Sequence, residues 1–372
     1  MQAGRLRSSR KNLRFSPKVS MKKLIHIILC FALLISPTAA FAFETDQFNL
    51  PETPLADIGA EVTEYVRENV EKAIDKINDE IKARQNCLDN KAAKNCDSTQ
   101  ENRARLNYLR SENAVAREVF KRLGDGIVPF TASGSWMESH QFKAQPARYK
   151  TSLKTSIYAT FPSNYLTISE TVNLYGAQFG TDKIAHIFQQ GYTYLGIYER
   201  AIAKGLSKEA ATKKACDWGR RSERTFYGNL VSGVYSNGDL AANFAGLKFY
   251  QNLTEEIKIG ETIKSPLIVL ENGVWKFNET VDISENLLKP FVSNHLNEAL
   301  NSSIYTKAFG LRSSVRGHVK KRACGEWRKA YPNFSRTNFE KKSSELQTWF
   351  GENYGFTANK NFITIANTCF DG

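Results

Sequence analysis

Residues 57–83 read DIGAEVTEYVRENVEKAIDKINDEIKA. Val62, Val66, Val70, Ala73, Ile77 and Ile81 recur at three- and four-residue steps, so one apolar stripe runs along an otherwise charged helix. Such a helix buries its stripe against neighbours, and a second helical pattern over 101–123 supplies the first of them. With the polar loop between Cys87 and Cys96 joining the two, the spacing predicts an antiparallel helical hairpin. The fold class that follows is mainly α, a multi-helix globular bundle.

C-terminal to the hairpin, 124–162 is rich in Gly, Pro, Ser and aromatic residues and reads as an irregular segment able to line a cleft. Helical spacing resumes over 181–203, 207–226 and 239–253. Two β-prone runs at 267–270 and 274–277 then flank Asn272-Gly273, the signature of one small β-hairpin. From 284 onward the pattern is again helical, with a last strand-like run at 362–365. The chain divides into a basic extension and leader (1–42), a helical hairpin (43–125), a loop-rich segment with a helical core (126–255) and a C-terminal hairpin and helical region (256–372).

Toward the N-terminus, Met21, Lys22 and Lys23 precede an apolar run from Leu24 to Ile35, then Pro37 and Ala40-Phe41-Ala42. This is the order of a secretory signal peptide, with cleavage before Phe43, and the run is short for a membrane span. Export to the periplasm or beyond is the expectation, with no transmembrane helix in the mature chain. Eight of the 51 Lys and Arg residues lie in 1–42, which holds no acid, so 43 basic and 38 acidic side chains remain, a net of +5. The headline +13 is therefore a property of the leader, and nucleic acid is not the expected partner. A +5 surface suits an anionic envelope glycan or a lipid headgroup. In an oxidising compartment Cys87 is expected to pair with Cys96 and Cys324 with Cys369, leaving Cys216 as a buried thiol. Sequons occur at Asn252, Asn278, Asn301 and Asn333; His140, His295 and His318 are scattered and take no assigned role.

Chemistry concentrates between 182 and 246. Asp182 and His186 stand four apart, on one face of a helix, with Gln190 a turn further on. Glu223 follows, flanked by Arg220, Arg221 and Arg224, and in Ser236-Asn-Gly-Asp239-Leu-Ala-Ala-Asn243-Phe-Ala-Gly246 the residues Asp239 and Asn243 again share a face. The order Asp-Lys-x-x-His, then Glu, then Ser-x-x-Asp-Leu-x-x-Asn-x-x-Gly resembles the pattern of VanZ-like proteins and of related small envelope lipoproteins. The resemblance covers about a fifth of the mature chain and implies an envelope helical domain with a polar cluster. VanZ-like proteins look like integral membrane proteins, whereas these helices carry too much charge to span a bilayer, so the implied relative is a soluble one.

Simple structural roles stand beside this reading. Ser236 and Asp239 match a capping box, a histidine on a half-apolar helix is commonly a hydrogen-bonded core residue, and Glu223 among arginines is commonly an ion pair. Convergence of Asp182, His186, Glu223 and Asp239 on one site opens two chemistries. They can hold a divalent metal that activates water, with Gln190 or Asn243 behind them, or His186 oriented by Asp182 can act as base and Glu223 as acid. Arg220 and Arg221 are candidate binding residues. A hydrolase-type enzyme, a binding protein for a glycan or lipid-linked precursor, and a non-catalytic structural or adaptor protein all remain open. No HExxH, GxSxG or phosphate loop is present.

Overall fold

The computed structural model describes residues 44–90, 96–124, 136–225, 227–260, 262–301, 303–346 and 361–370, which lie in one compact unit. The leader, its cleavage before Phe43, and residues 125–135 lie outside the described residues. The apolar stripe forms α1 (Gly59–Asp89), with its six repeat positions at most 2% exposed. Against it pack α2 (Thr99–Leu109), opened by a capping box of Ser98 and Glu101, and α3 (Glu112–Leu123). The sequence predicts one helix over 101–123; it is broken because Ser111 is extended and its hydroxyl bonds back to the Tyr108 carbonyl.

The core of the molecule follows. α4 (Thr181–Ala185) runs through a π-helical turn (His186–Gln190) into α5 (Gly191–Ile202), which packs with α6 (Lys208–Arg224) and α7 (Asn237–Asn252). Helix α7 is buried on nearly every side and is the central element. It crosses the α4–α5 helix at Gly191 and Gly246. A Cβ on Gly246 would lie 2.0 Å from the Ile187 carbonyl oxygen, and one on Gly191 2.4 Å from the Gly246 Cα. The closing glycine of the motif is thus a packing residue, which lets two backbones touch.

The mainly α class is observed, with several small antiparallel sheets where the sequence predicts one hairpin. The predicted hairpin is β7 (Ile268–Glu271) and β8 (Val274–Phe277), turned by Asn272 and Gly273 at φ 50° and 81°. Trp275 anchors it: its ring nitrogen donates to the Leu109 carbonyl at 2.8 Å and its amide to Asn78 Oδ1 at 2.8 Å. In addition β1 (Arg148–Tyr149), β2 (Thr171–Leu174) and β3 (Ala177–Gly180) form one sheet. β4 (Val234–Ser236), β9 (Ser303–Tyr305) and β10 (Phe362–Ile363) form another, and β5 (Ile257–Ile259) pairs with β6 (Thr262–Lys264). Strands of two to four residues show too little alternation to be read from sequence.

The helical spacing read from 284 onward is corrected by the structure. Up to Gly310 the chain makes short turns, 3-10 segments and β9, and longer helices return with α8 (Leu311–His318). Asn and Ser side chains compete with the helix here: Asn297 Oδ1 accepts from the amides of Ala299 and Leu300, and Ser293 Oγ from that of His295. Beyond α8 a π-helical turn (Val319–Ala323), α9 (Cys324–Ala330), α10 (Arg336–Glu345) and α11 (Ile365–Cys369) enclose a second apolar core. Among the described residues no helix is long and apolar enough to cross a membrane. Of the sequons, Asn252 and Asn301 are buried, which denies glycan attachment at those two sites in the folded chain, whereas Asn278 is half-buried and Asn333 exposed.

Both expected disulfides are present, with Cα separations of 5.6 Å for Cys87–Cys96 and 5.3 Å for Cys324–Cys369, and Cys216 is buried and part of neither. Because Cys324–Cys369 closes a sequence separation of 45 residues, its loss is expected to cost about 4 kcal/mol. Denaturant unfolding of the Cys324→Ser/Cys369→Ser variant measures this; an unchanged midpoint would count against it.

Candidate functional site

The two apolar cores meet at a polar seam. Adjacent residues Val234 and Tyr235 belong to different cores, as do Leu296 and Ala299. Between them lie Ser236 and Glu298, at the N-terminus of α7 and beside α4. The chain from Glu44 to Asn49 also threads this interior, every residue at most 3% exposed.

At the centre is Lys183, fully buried. Its ammonium lies 2.5 Å from Asp182 Oδ2, 2.6 Å from Asp239 Oδ1 and 2.7 Å from Glu298 Oε1. The first and third are hydrogen bonds; the Asp239 contact is an ion pair off the hydrogen-bonding direction. Glu298 Oε1 also accepts from Ser236 Oγ at 2.8 Å. One cation therefore ties α4, α7 and the segment after Leu296 together.

His186 stands at the edge of this cluster with 14% of its side chain exposed. Its Nδ1 is 2.8 Å from Asn243 Oδ1, and since that oxygen only accepts, Nδ1 carries the donated proton. Nε2 is then left facing Asp239 Oδ2 at 3.5 Å. Asp182, His186 and Asp239 each offer one ligand atom, all within 4.8 Å of one another, the spread that a single coordinated cation requires. Asp182 Oδ1 is buried with no hydrogen-bond partner.

Glu223 sits behind this set. Its Oε1 accepts from the Ser236 amide at 3.1 Å, and it is outside the three-residue ligand group. That bond changes the expected capping box. Ser236 Oγ does accept from the Asp239 amide at 3.1 Å, but the Ser236 amide is satisfied by Glu223, so Asp239 turns to Lys183 and His186.

The other candidates disperse. Arg220 pairs with Asp217 at 3.0 Å, and Arg221 donates to the Asp217 carbonyl at 3.2 Å. Gln190 is buried, with its carbonyl oxygen lacking a hydrogen-bond partner, and is not joined to His186. The extra residue of the π-helical turn removes the four-residue alignment that an α-helix would give.

Burial and like charge divide the acids. Glu44 and Glu223 are pushed well above the usual carboxylate range by burial, reinforced at Glu44 by Glu298 and at Glu223 by Asp239. Burial raises Asp182 as well, and lifts Glu298 to about 6 against the opposing pull of Lys183. Asp239 differs: burial raises it, but His186 and Lys183 outweigh that and hold it below its ordinary value. Burial opposes the charge of Lys183, yet its three carboxylates hold it well above the ordinary lysine value.

Lys183, Glu298 and Glu44 were not among the residues singled out by spacing. The signal for Lys183 is its setting, since 184–188 reads Ile-Ala-His-Ile-Phe and leaves a lysine little polar surface to occupy. Glu298 and Glu44 have no local signal, because they reach the cluster from distant segments. No protein-family model matches the chain, and no curated protein or solved structure is found similar to it.

Proposed function

We propose that this is an exported cell-envelope protein of VanZ-like pattern whose site, centred on Asp182, His186 and Asp239, takes a divalent cation. Through it the protein binds or processes an envelope component, a glycan or a lipid-linked precursor. The observation that carries the reading is charge. With Asp182, Asp239 and Glu298 ionised, Lys183 protonated and His186 neutral, as a ligating imidazole is, the buried cluster would hold −2, and uncompensated buried charge is costly. A divalent ion beside His186 cancels it. The bond from His186 Nδ1 to Asn243 supports the same reading, since a ligating imidazole commonly donates its other N–H to an acceptor behind it. A bound ion would supply Lewis acidity toward a polar substrate group.

The nearly complete burial of Lys183, Asp182 and Glu298 favours a second reading, in which the cluster only locks helices in a structural or adaptor protein. Metal titration of the purified mature chain and of His186→Ala separates the two. Under the first reading wild type binds manganese or zinc and the variant binds at least about tenfold more weakly, since losing even a partner behind a ligand costs that much, while melting close to wild type. Absence of metal binding by the wild type, together with a lowered melting temperature for His186→Ala, would establish the lock instead.

A further inference from the structure

Three segments that pack together carry no acid at all. Residues 147–169, 224–238 and 299–325 contain ten Lys and Arg and no Asp or Glu, in a mature chain whose overall balance is only +5; two of the ten, Arg148 and Arg322, pair with Glu170 and Glu326 just beyond the segment ends. The structure joins them. Asn164 Nδ2 donates to the Ser232 carbonyl at 2.7 Å, the Thr306 amide to the Gly233 carbonyl at 2.7 Å, and β4 pairs with β9. Thr160 and Ser314 hydroxyls meet at 2.7 Å.

The same three segments present large apolar side chains to solvent: Leu166 is 79% exposed, Leu230 74%, Val231 54% and Phe309 97%. Phe309 is held outward by a turn with φ 53°, a conformation that favours glycine, followed by Gly310 at φ 79°. Strain spent on exposing a phenyl ring, beside exposed aliphatic tips, marks a surface that meets something apolar. The same segments carry Lys150, Lys154, Arg224 and Lys307, all exposed, and among the described residues no ion pair joins them to a carboxylate.

We propose that this face docks on an anionic lipid bilayer, the loop tips entering the headgroup boundary while the cations meet lipid phosphates. Apolar side chains rimmed by Lys and Arg are the composition of an interfacial membrane contact, and each cation near an anionic surface adds to the attraction. The inference does not rest on the cation site and gives the chain a fixed place in the envelope.

The test is flotation of the purified mature protein with phosphatidylcholine vesicles, with and without phosphatidylglycerol. Binding is expected only with the anionic lipid. It should weaken by about tenfold or more both in Phe309→Ser/Leu230→Ser and in Lys150→Glu/Lys307→Glu, and be unchanged in His186→Ala. Circular dichroism melts confirm that the surface variants fold. Failure of wild type to float overturns the proposal. So does sensitivity to the charge reversals alone, which would make a soluble anionic polymer the occupant. Loss of metal binding in His186→Ala with flotation intact leaves this inference standing separately from the cation site.

Discussion

A Lys183→Met variant is expected to lose about 3–5 kcal/mol of stability, roughly 5 °C in melting temperature. Methionine has nearly the volume of the lysine stem, so packing around α4 is preserved and the loss is electrostatic. Three carboxylates that meet one ammonium at 2.5, 2.6 and 2.7 Å would face one another without it. Breaking one member of a buried ionic group costs more than the intact group contributes, because the remaining charges stay desolvated. The triple variant Lys183→Met/Asp239→Asn/Glu298→Gln removes two of those charges and is expected to recover part of the loss. Urea unfolding of the single and triple variants measures both. A Lys183→Met protein as stable as wild type would mean that the ammonium does not hold these elements together.

The second large effect is on pH. In chelator, the protein is expected to melt higher at pH 5 than at pH 7.5. Glu44, Asp182, Glu223 and Glu298 all have folded values raised above their ordinary ones, burial being the largest cause at each. The folded chain therefore holds protons that the unfolded chain has released, and stability falls as pH rises through the folded values. For Glu298, raised from 4.5 to about 6, the loss amounts to about 2 kcal/mol across that window. Asp239 acts oppositely, since its folded value is lowered and its contribution disappears only as pH falls below about 4. Lys183 contributes fully below its ordinary value near 10.5 and does not alter the slope between pH 5 and 7.5. Melts in chelator across this range check the sign, and a flat or rising profile would contradict it. Saturating divalent metal should flatten the fall, since bound metal favours the deprotonated carboxylates.

Local pattern was enough for the longest helix, the predicted hairpin turn and the disulfides. The stripe from Val62 to Ile81, the Asn272-Gly273 turn and both disulfides were legible because each is specified by residues near one another in sequence or by a small set of cysteines. Asp182, His186, Asp239 and Asn243 were legible as a group because helical spacing puts Asp182 with His186 and Asp239 with Asn243, leaving only the crossing of two helices to bring the pairs together. Gln190 was misplaced by the same logic, since a π-helical turn has no clear sequence mark.

What tertiary structure alone decided is the charge balance of the site. Lys183 follows Asp182 directly, and adjacent helical positions point about 100° apart. Spacing within one helix therefore does not join it to the face of Asp182 and His186, whereas in the fold α4 packs against α7 and the segment carrying Glu298, and Lys183 is buried among them. Glu298 lies 115 residues from Lys183, and Glu44 comes from the opposite end of the described chain. Periodicity reports which residues share a face of one element; it carries no information on which distant carboxylates that face will meet. The basic segments divide the same way: their composition is written in three separate stretches of sequence, and only the pairing of β4 with β9 and the contact of Asn164 with Ser232 bring them together.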